Sequence, residues 1–321
     1  MPARSNALPQ VASSTLFLTD SGLETTLVFH EGIELPHFAA FPLLDTTKGR
    51  SFLADYFERH IAIARRLQVG FVLESPTWRA SREWGARLGY SPEAIADLNC
   101  ESIAFLRALE ARHRAPATPM VVSGCVGPRG DGYVPGEGMT AAEAEDYHGH
   151  QVAAFAAAGA DLVTAITMTN TPEAIGMANA ASRTGIPAAI SFTVETDGKL
   201  PTGQGLGDAI DEVDRQTAGS VAYYMLNCAH PTHFDRTLEP GRAWMQRIRG
   251  LRANASCRSH QELNEAAELD ADDPVELGRQ YQAIRRRFPN ITILGGCCGT
   301  DHRHIEEIGS ACVEARETVP Q

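Results

Sequence analysis

Eight short apolar runs, each ending in small or polar residues and each followed by a longer amphipathic stretch, recur along this chain. They read LFLTDSG (16–22), GFVLES (70–75), PMVVSGCVG (119–127), DLVTAIT (161–167), AAISFTVE (188–195), AYYMLNCAHP (222–231), IRGLRANAS (248–256) and NITILGGC (290–297). Brief runs rich in β-branched residues and closed by turn residues are strand signals. The intervening segments carry apolar residues at helical spacing, as in SFLADYFERHIAIARRL and PEAIADLNCESIAFLRALEAR, and several open on Pro or Asp. HPTHFDRTLEP is the weakest of them. Strands that alternate with helical crossovers pair in parallel, and eight such units close into a (β/α)8 TIM-type barrel. An open doubly wound sheet would place a GxGxxG turn after the first strand, and TDSGLETTL has none. No linker, charge block or low-complexity run divides the 321 residues, so residues 1–321 are expected to form a single domain. Residues 1–14 read as a flexible N-terminal arm, and 256–273 as an insertion over the active face.

Charge and cysteine usage narrow the function classes. A formal net charge of −12 argues against nucleic acid and anionic membranes, which reward basic patches. No apolar run is long enough to span a bilayer, and MPARSNALPQVASS lacks the apolar centre of a secretory signal. Seven cysteines is an odd count, spread thinly, unlike a secreted disulfide scaffold. The expectation is a reducing cytoplasm, with thiols available for a metal or for chemistry.

In a barrel of this type the functional groups sit at the carboxyl ends of the strands. Cys228 ends the sixth strand, while Cys297 and Cys298 end the eighth, so three thiols distant in sequence converge on one mouth. Three thiolates with an open fourth position suit Zn²⁺. Adjacent cysteines can share one ion only where the backbone turns sharply, and Gly295, Gly296 and Gly299 supply that freedom. Cys100 and Cys312 fall in helical stretches and read as small buried hydrophobes, the reading favoured also for Cys125 and Cys257. His230, His233, His302 and His304 follow the cysteine segments and are read as lining a pocket or holding loops. A redox pair of Cys297 and Cys298 is disfavoured, because vicinal disulfides are strained and Cys228 would stand idle.

The NC at 227–228 together with GGCCG at 295–299 resembles the zinc-dependent homocysteine S-methyltransferases, a family that includes the betaine- and S-methylmethionine-dependent enzymes and the homocysteine module of cobalamin-dependent methionine synthase. TDSGLETTL (19–27), SGCVGPRGDGY (123–133) and AISFTVETDGKLPTGQGL extend the likeness over most of the chain. The resemblance implies zinc held by Cys228, Cys297 and Cys298, with a thiol substrate, homocysteine, as the active ligand and methionine as the product. A thiol with a pKa of about 8.5 is mostly protonated at neutral pH, and coordination deprotonates it without a separate base. The methyl group arrives on an onium centre, as in betaine, S-methylmethionine or S-adenosylmethionine. The resemblance also implies Asp20 near the substrate's amino group. Asn227 is expected to hydrogen-bond beside the metal ligands, and Glu24 to cap its helix.

One position departs from the family. A glutamate is expected at the end of the fourth strand, and here DLVTAITMTN places Ile166 there. Glu74 or Glu195 then takes over the ammonium, or the thiol is not homocysteine. Thr167, Thr169 and Asn170 would line the mouth, and Trp78 could stack on a donor's cation. A module serving a separate corrinoid protein is the further alternative. DYHGHQ (146–151) fails the cobalamin signature, so any corrinoid would come with a partner. The expected partners are thus a small thiol and a methyl donor, with homo-oligomerisation left open.

Overall fold

Every strand among the described residues pairs in parallel with its sequence neighbours, and the eighth returns to the first to close the ring. The computed structural model describes residues 8–133, 138–266 and 268–317. The strands are β1 (Phe17–Leu18), β2 (Gly70–Glu74), β3 (Met120–Val126), β4 (Leu162–Met168), β5 (Ala188–Phe192), β6 (Tyr223–Asn227), β7 (Ile248–Ala253) and β8 (Ile293–Gly296). Closure joins Phe17 to Ile293 and Leu18 to Leu294. The expected (β/α)8 barrel is therefore the observed fold.

Helices α1 (Pro9–Ala12), α2 (Leu23–Thr25) and α3 (Thr47–Arg66) precede β2. Then come α4 (Arg82–Arg87), α5 (Pro92–His113), α6 (Ala141–Ala158), α7 (Thr171–Thr184) and α8 (Leu206–Gln216). The last are α9 (Pro231–Phe234), α10 (His260–Asn264), α11 (Pro274–Arg287) and α12 (His302–Glu317). Local sequence sets their limits. Thr140 and Glu143 form a reciprocal capping box at the start of α6, and Gly159, at φ 88°, ends it. A Cβ at Gly176 of α7 would lie 2.4 Å from the Ala144 Cβ of α6, so glycine lets these two helices pack closely. HPTHFDRTLEP, the weakest helical segment, gives only the single turn α9 and a short 3-10 turn at Asp235–Thr237, and a second 3-10 turn follows it at Ala243–Arg247.

The barrel interior is layered. Phe17, Val72, Val121, Leu162, Ala189, Tyr223, Met225 and Ile293 make an apolar plug at its lower end. Leu8 and Val11 pack beneath it and Gln10 is fully buried, so residues 8–12 close the barrel floor where a loose arm was expected. Residues 1–7 of that arm lie outside the described residues. Side chains alternate along a strand, and the next inward positions turn polar: Glu74, Ser123, Thr164, Ser191, Asn227 and Arg252, all buried. The larger apolar core fills the space between the strands and the outer helices. Among the described residues no helix is long and apolar enough to cross a membrane.

Candidate metal and substrate site

Cys228 follows β6 directly, and Cys297 and Cys298 follow β8, so the three reach the same mouth from strands separated only by β7. Cys228 Sγ stands 3.2 Å from Cys297 Sγ and 3.6 Å from Cys298 Sγ, and all three sulfurs lie within 4.8 Å of one another. Contacts with Cys228 and Cys298 hold the Cys297 thiol well below the ordinary range, and contact with Cys297 pushes Cys228 well above it. The crowded trio shares its charge unevenly because three adjacent thiolates repel one another.

The turn that presents the vicinal pair is tied at both ends. Cys297 N donates to Ala253 O at 2.8 Å, and Thr300 Oγ1 donates to Cys297 O at 2.7 Å. Gly299 has φ 80°, and a Cβ there would lie 2.7 Å from Asp270 O, so the position requires glycine. On the other side, His260 donates its Nε2–H to Cys228 O at 2.6 Å and stacks on Tyr133 at 4.2 Å between ring centroids. The Tyr133 hydroxyl reaches 3.5 Å from Cys298 Sγ and 3.6 Å from Cys228 Sγ.

Cys228 (φ 56°) and Thr167 (φ 66°) both adopt left-handed backbone at strand ends, which costs a non-glycine residue about 1–2 kcal/mol. Asn227 holds this geometry. Its Oδ1 accepts from Thr167 N at 3.0 Å and Ser191 Oγ at 2.6 Å, while Nδ2 donates to Thr167 Oγ1 at 2.8 Å and lies 3.8 Å from Cys297 Sγ. One buried amide thus couples β4, β5, β6 and a candidate metal ligand.

Below the sulfurs lies a buried ion pair. Arg252 Nη2 donates to Asp20 Oδ1 at 2.7 Å, with both side chains under a tenth exposed, and Arg252 Nε donates to Gly296 O at 3.2 Å. Tyr56 Oη lies 3.1 Å from Asp20 Oδ2. Burial pushes the Asp20 carboxyl above its usual range, and Arg252 and Tyr56 pull it back only in part. Burial likewise pushes Glu74 up to about 7, and its Oε2 has no hydrogen-bond partner.

His60 of α3 fastens the segment after β1. It donates Nδ1–H to Tyr56 O at 2.8 Å and accepts from Ser21 Oγ at 2.9 Å through Nε2. Burial lowers its pKa from 6.5 to about 4. In the unfolded chain the ring binds a proton below about pH 6.5, while the folded ring stays neutral until pH approaches about 4. Stability is therefore full above the unfolded value and falls as pH drops through this window, by on the order of 3 kcal/mol for a shift of this size. Urea titrations at pH 7, 5.5 and 4.5 measure it. The slope should shrink in His60→Gln, and an unchanged slope would refute the assignment.

A cavity of 420 Å³ opens over the sulfurs, within the range of small-ligand sites. It gathers Asp20, Glu74, Ile166 and Thr167 with the three cysteines, and Asn227 supports it from beneath. The 256–273 insertion forms part of its wall through Ser256, Leu263 and Asp270. Other expected residues go elsewhere. Asn170 caps α7 by accepting from Glu173 N, and Thr169 borders a separate small pocket beside it. Glu195 lies 3.3 Å from His260 Nδ1, away from the cavity lining. Glu24 faces the cavity, and α2 has no side-chain cap. Trp78 lines the cavity, but Arg79 already stacks on its ring at 4.0 Å. His230 caps α9, His233 lies 2.9 Å from Cys257 O, and His304 ties Asp301 to Ala271, so these three hold loops.

Tyr133, His260 and Arg252 emerge only from the fold. Tyr133 belongs to the segment SGCVGPRGDGY, in which Gly127 and Gly132 pack against Trp78. Arg252 is one of two arginines in the short strand β7, and its inward register alongside Gly250 is what sends it to the barrel interior.

The donor set fits zinc. At Zn–S distances of about 2.3 Å, tetrahedral geometry spaces sulfurs roughly 3.8 Å apart, close to the 3.2 and 3.6 Å found. All three thiols are free rather than joined as disulfides.

A model of the family described as homocysteine S-methyltransferase matches residues 18–312. Among solved structures, the homocysteine methyltransferase MmuM from Escherichia coli superimposes in its oxidized form with TM-score 0.72 at 20% identity, covering 93% of this chain and 96% of that one. Its metallated form gives TM-score 0.69 at 20% identity with the same coverage. At this identity the likeness speaks for the fold. No curated protein sequence matches the chain significantly.

Proposed function

Because the chain belongs to the homocysteine S-methyltransferase family, we propose that this methyltransferase moves a methyl group from an onium donor to a thiol, with homocysteine becoming methionine, and that it uses zinc. The carrying observation is the convergence of Cys228, Cys297 and Cys298 into one sulfur cluster at the floor of a cavity. These three would hold the ion, and zinc, when bound, supplies deprotonation of the substrate thiol at neutral pH.

The chain's own residues supply position. Asn227 fixes Thr167 and lies against Cys297 Sγ, so it keeps the thiol site in register with the β4 end. Thr167 and Asp20 border the substrate, and Glu74 lies at the polar floor with one carboxylate oxygen unpaired. Tyr133 and the 256–273 insertion cover the sulfurs from above. A covered, water-poor mouth favours this reaction because charge is lost as the methyl leaves its onium centre. The two substrates need chiefly to be held in line.

Ile166 lines the same cavity and offers no charge to an ammonium, so the thiol must be tested rather than assumed. The test is a matrix on zinc-loaded protein. Betaine, S-methylmethionine, S-adenosylmethionine and a methylated corrinoid serve as donors, with homocysteine and amine-free thiols as acceptors. Methionine formed from an onium donor is the expected result. Transfer from the corrinoid alone would assign the chain to a corrinoid partner, and no transfer to any thiol would overturn the proposal.

A further inference from the structure

The cavity over the sulfurs carries more negative charge than its own arginines balance. Asp20, Glu24 and Glu74 all line it, as do Arg79 and Arg252. Arg252 donates through Nη2 to Asp20 and through Nε to Gly296 O, while its Nη1 is buried without a hydrogen-bond partner. Arg79 is sandwiched between Trp78 and Trp84, 4.0 Å from each ring, and its Nη1 donates to Gly130 O at 2.7 Å. Neither guanidinium is paired with Glu24.

Glu24 is the distinctive carboxylate. The hydrogen bond it accepts comes from its own backbone N–H, and no other described side chain donates to it. Burial pushes it up to about 7, and Arg252, with no direct contact, offsets this only in part. Its neighbours in sequence are locked to the cysteine turn. Thr25 Oγ1 accepts from Gly299 N at 3.2 Å, and a Cβ at Gly22 would lie 2.5 Å from Cys297 O. Glu24 therefore enters the cavity from a rigid segment directly against the candidate metal ligands. Glu74, which Arg252 balances in part, adds an orphaned carboxylate oxygen, Oε2, to the same space. A ligand that brings a cation would supply the charge these carboxylates lack.

We propose that Glu24 receives the ammonium group of an α-amino thiol, and so restricts the acceptor to amino-acid thiols over acidic or uncharged ones. The inference rests on the reading of the chain as a thiol methyltransferase. A primary ammonium brings both the missing charge and the N–H donors that a desolvated carboxylate needs. A sulfonium or quaternary ammonium centre brings charge without N–H groups and satisfies Glu24 less well, and the α-ammonium that S-methylmethionine and S-adenosylmethionine also carry is told apart by the donor's KM.

The test compares wild type with Glu24→Gln, both zinc-loaded, on homocysteine and on 4-sulfanylbutanoate, the same thiol acid without its amine. Wild type should favour homocysteine in kcat/KM by about 10- to 100-fold, the range for one charge-assisted pair. Glu24→Gln should lose that factor on homocysteine and stay within about threefold on 4-sulfanylbutanoate. Glu24→Asp should recover part of the loss. Equal losses on both thiols, no loss on either, or a change confined to the donor's KM would overturn the proposal, the last by assigning Glu24 to the donor. If Glu24→Gln fails to fold, wild type alone decides, since equal use of the two thiols refutes an ammonium site. Calorimetry with methionine and its deamino analogue reads the same site without methyl transfer. Wild type should bind methionine more tightly, and Glu24→Gln should abolish the difference. A Glu24-dependent preference for methionine in a protein that methylates no thiol would sink the transferase reading and leave the ammonium site standing. Methylation indifferent to the amine would sink the ammonium site alone.

Discussion

Serine in place of Cys228, Cys297 or Cys298 should strip zinc from the protein and abolish methyl transfer. Each change replaces a thiolate by a hydroxyl that stays protonated at neutral pH, so the donor set falls from three anionic sulfurs to two. Loss of an outer hydrogen-bonding partner already costs a metal site about 10- to 100-fold in affinity, and loss of a ligand should exceed the upper end of that range. Wild type should carry about one zinc per chain. Elemental analysis after dialysis against a weak chelator measures the difference, with circular dichroism confirming that each variant folds. Full zinc retention in all three variants would refute the site. Cys125→Ser is the informative comparison: Cys125 lies in the same cavity but outside the sulfur cluster, so this variant should keep its metal.

Arg252→Met should cost about 3–5 kcal/mol, because it leaves Asp20 ionised and buried without its cation. For a domain of this size that corresponds to a fall in Tm of roughly 10 °C. The measurement belongs on metal-free protein, so that lost zinc does not add to the effect. The double variant Asp20→Asn with Arg252→Met should be more stable than Arg252→Met alone, since it removes the stranded charge. Additive losses would show that the pair is not coupled and that the 2.7 Å contact contributes little.

Local signals along the chain were strong enough to give the barrel. The eight strand spans read from β-branched runs fall on the eight observed strands, with ends differing by a few residues where loops continue the extended backbone. One of the two largest differences, with β6, is β1, which covers only Phe17–Leu18 of the expected 16–22. Its upper residues leave the ladder so that Asp20 and Ser21 can reach Arg252, Tyr56 and His60. The N-terminal segment defied its polar look because Leu8 and Val11 bury against the barrel plug, a contact that no local pattern announces.

The sulfur cluster was legible because barrel topology converts a strand end into a position in space. Once Cys228 and the Cys297–Cys298 pair are assigned to strand ends, their meeting follows, and the glycine after them explains the turn. Charge pairing was not legible in that way. Asp20 and Arg252 lie 232 positions apart, and nothing local to either predicts that they meet. The same holds for Glu24, whose spacing after Gly22 reads equally well as a helix cap. Chain-local chemistry thus settled the fold class, the strand ends and the identity of the thiols, since these depend on periodicity and residue type. Which carboxylates are neutralised and which stay open to a ligand was decided only by tertiary packing, because a charge's partner is set by distance across the barrel.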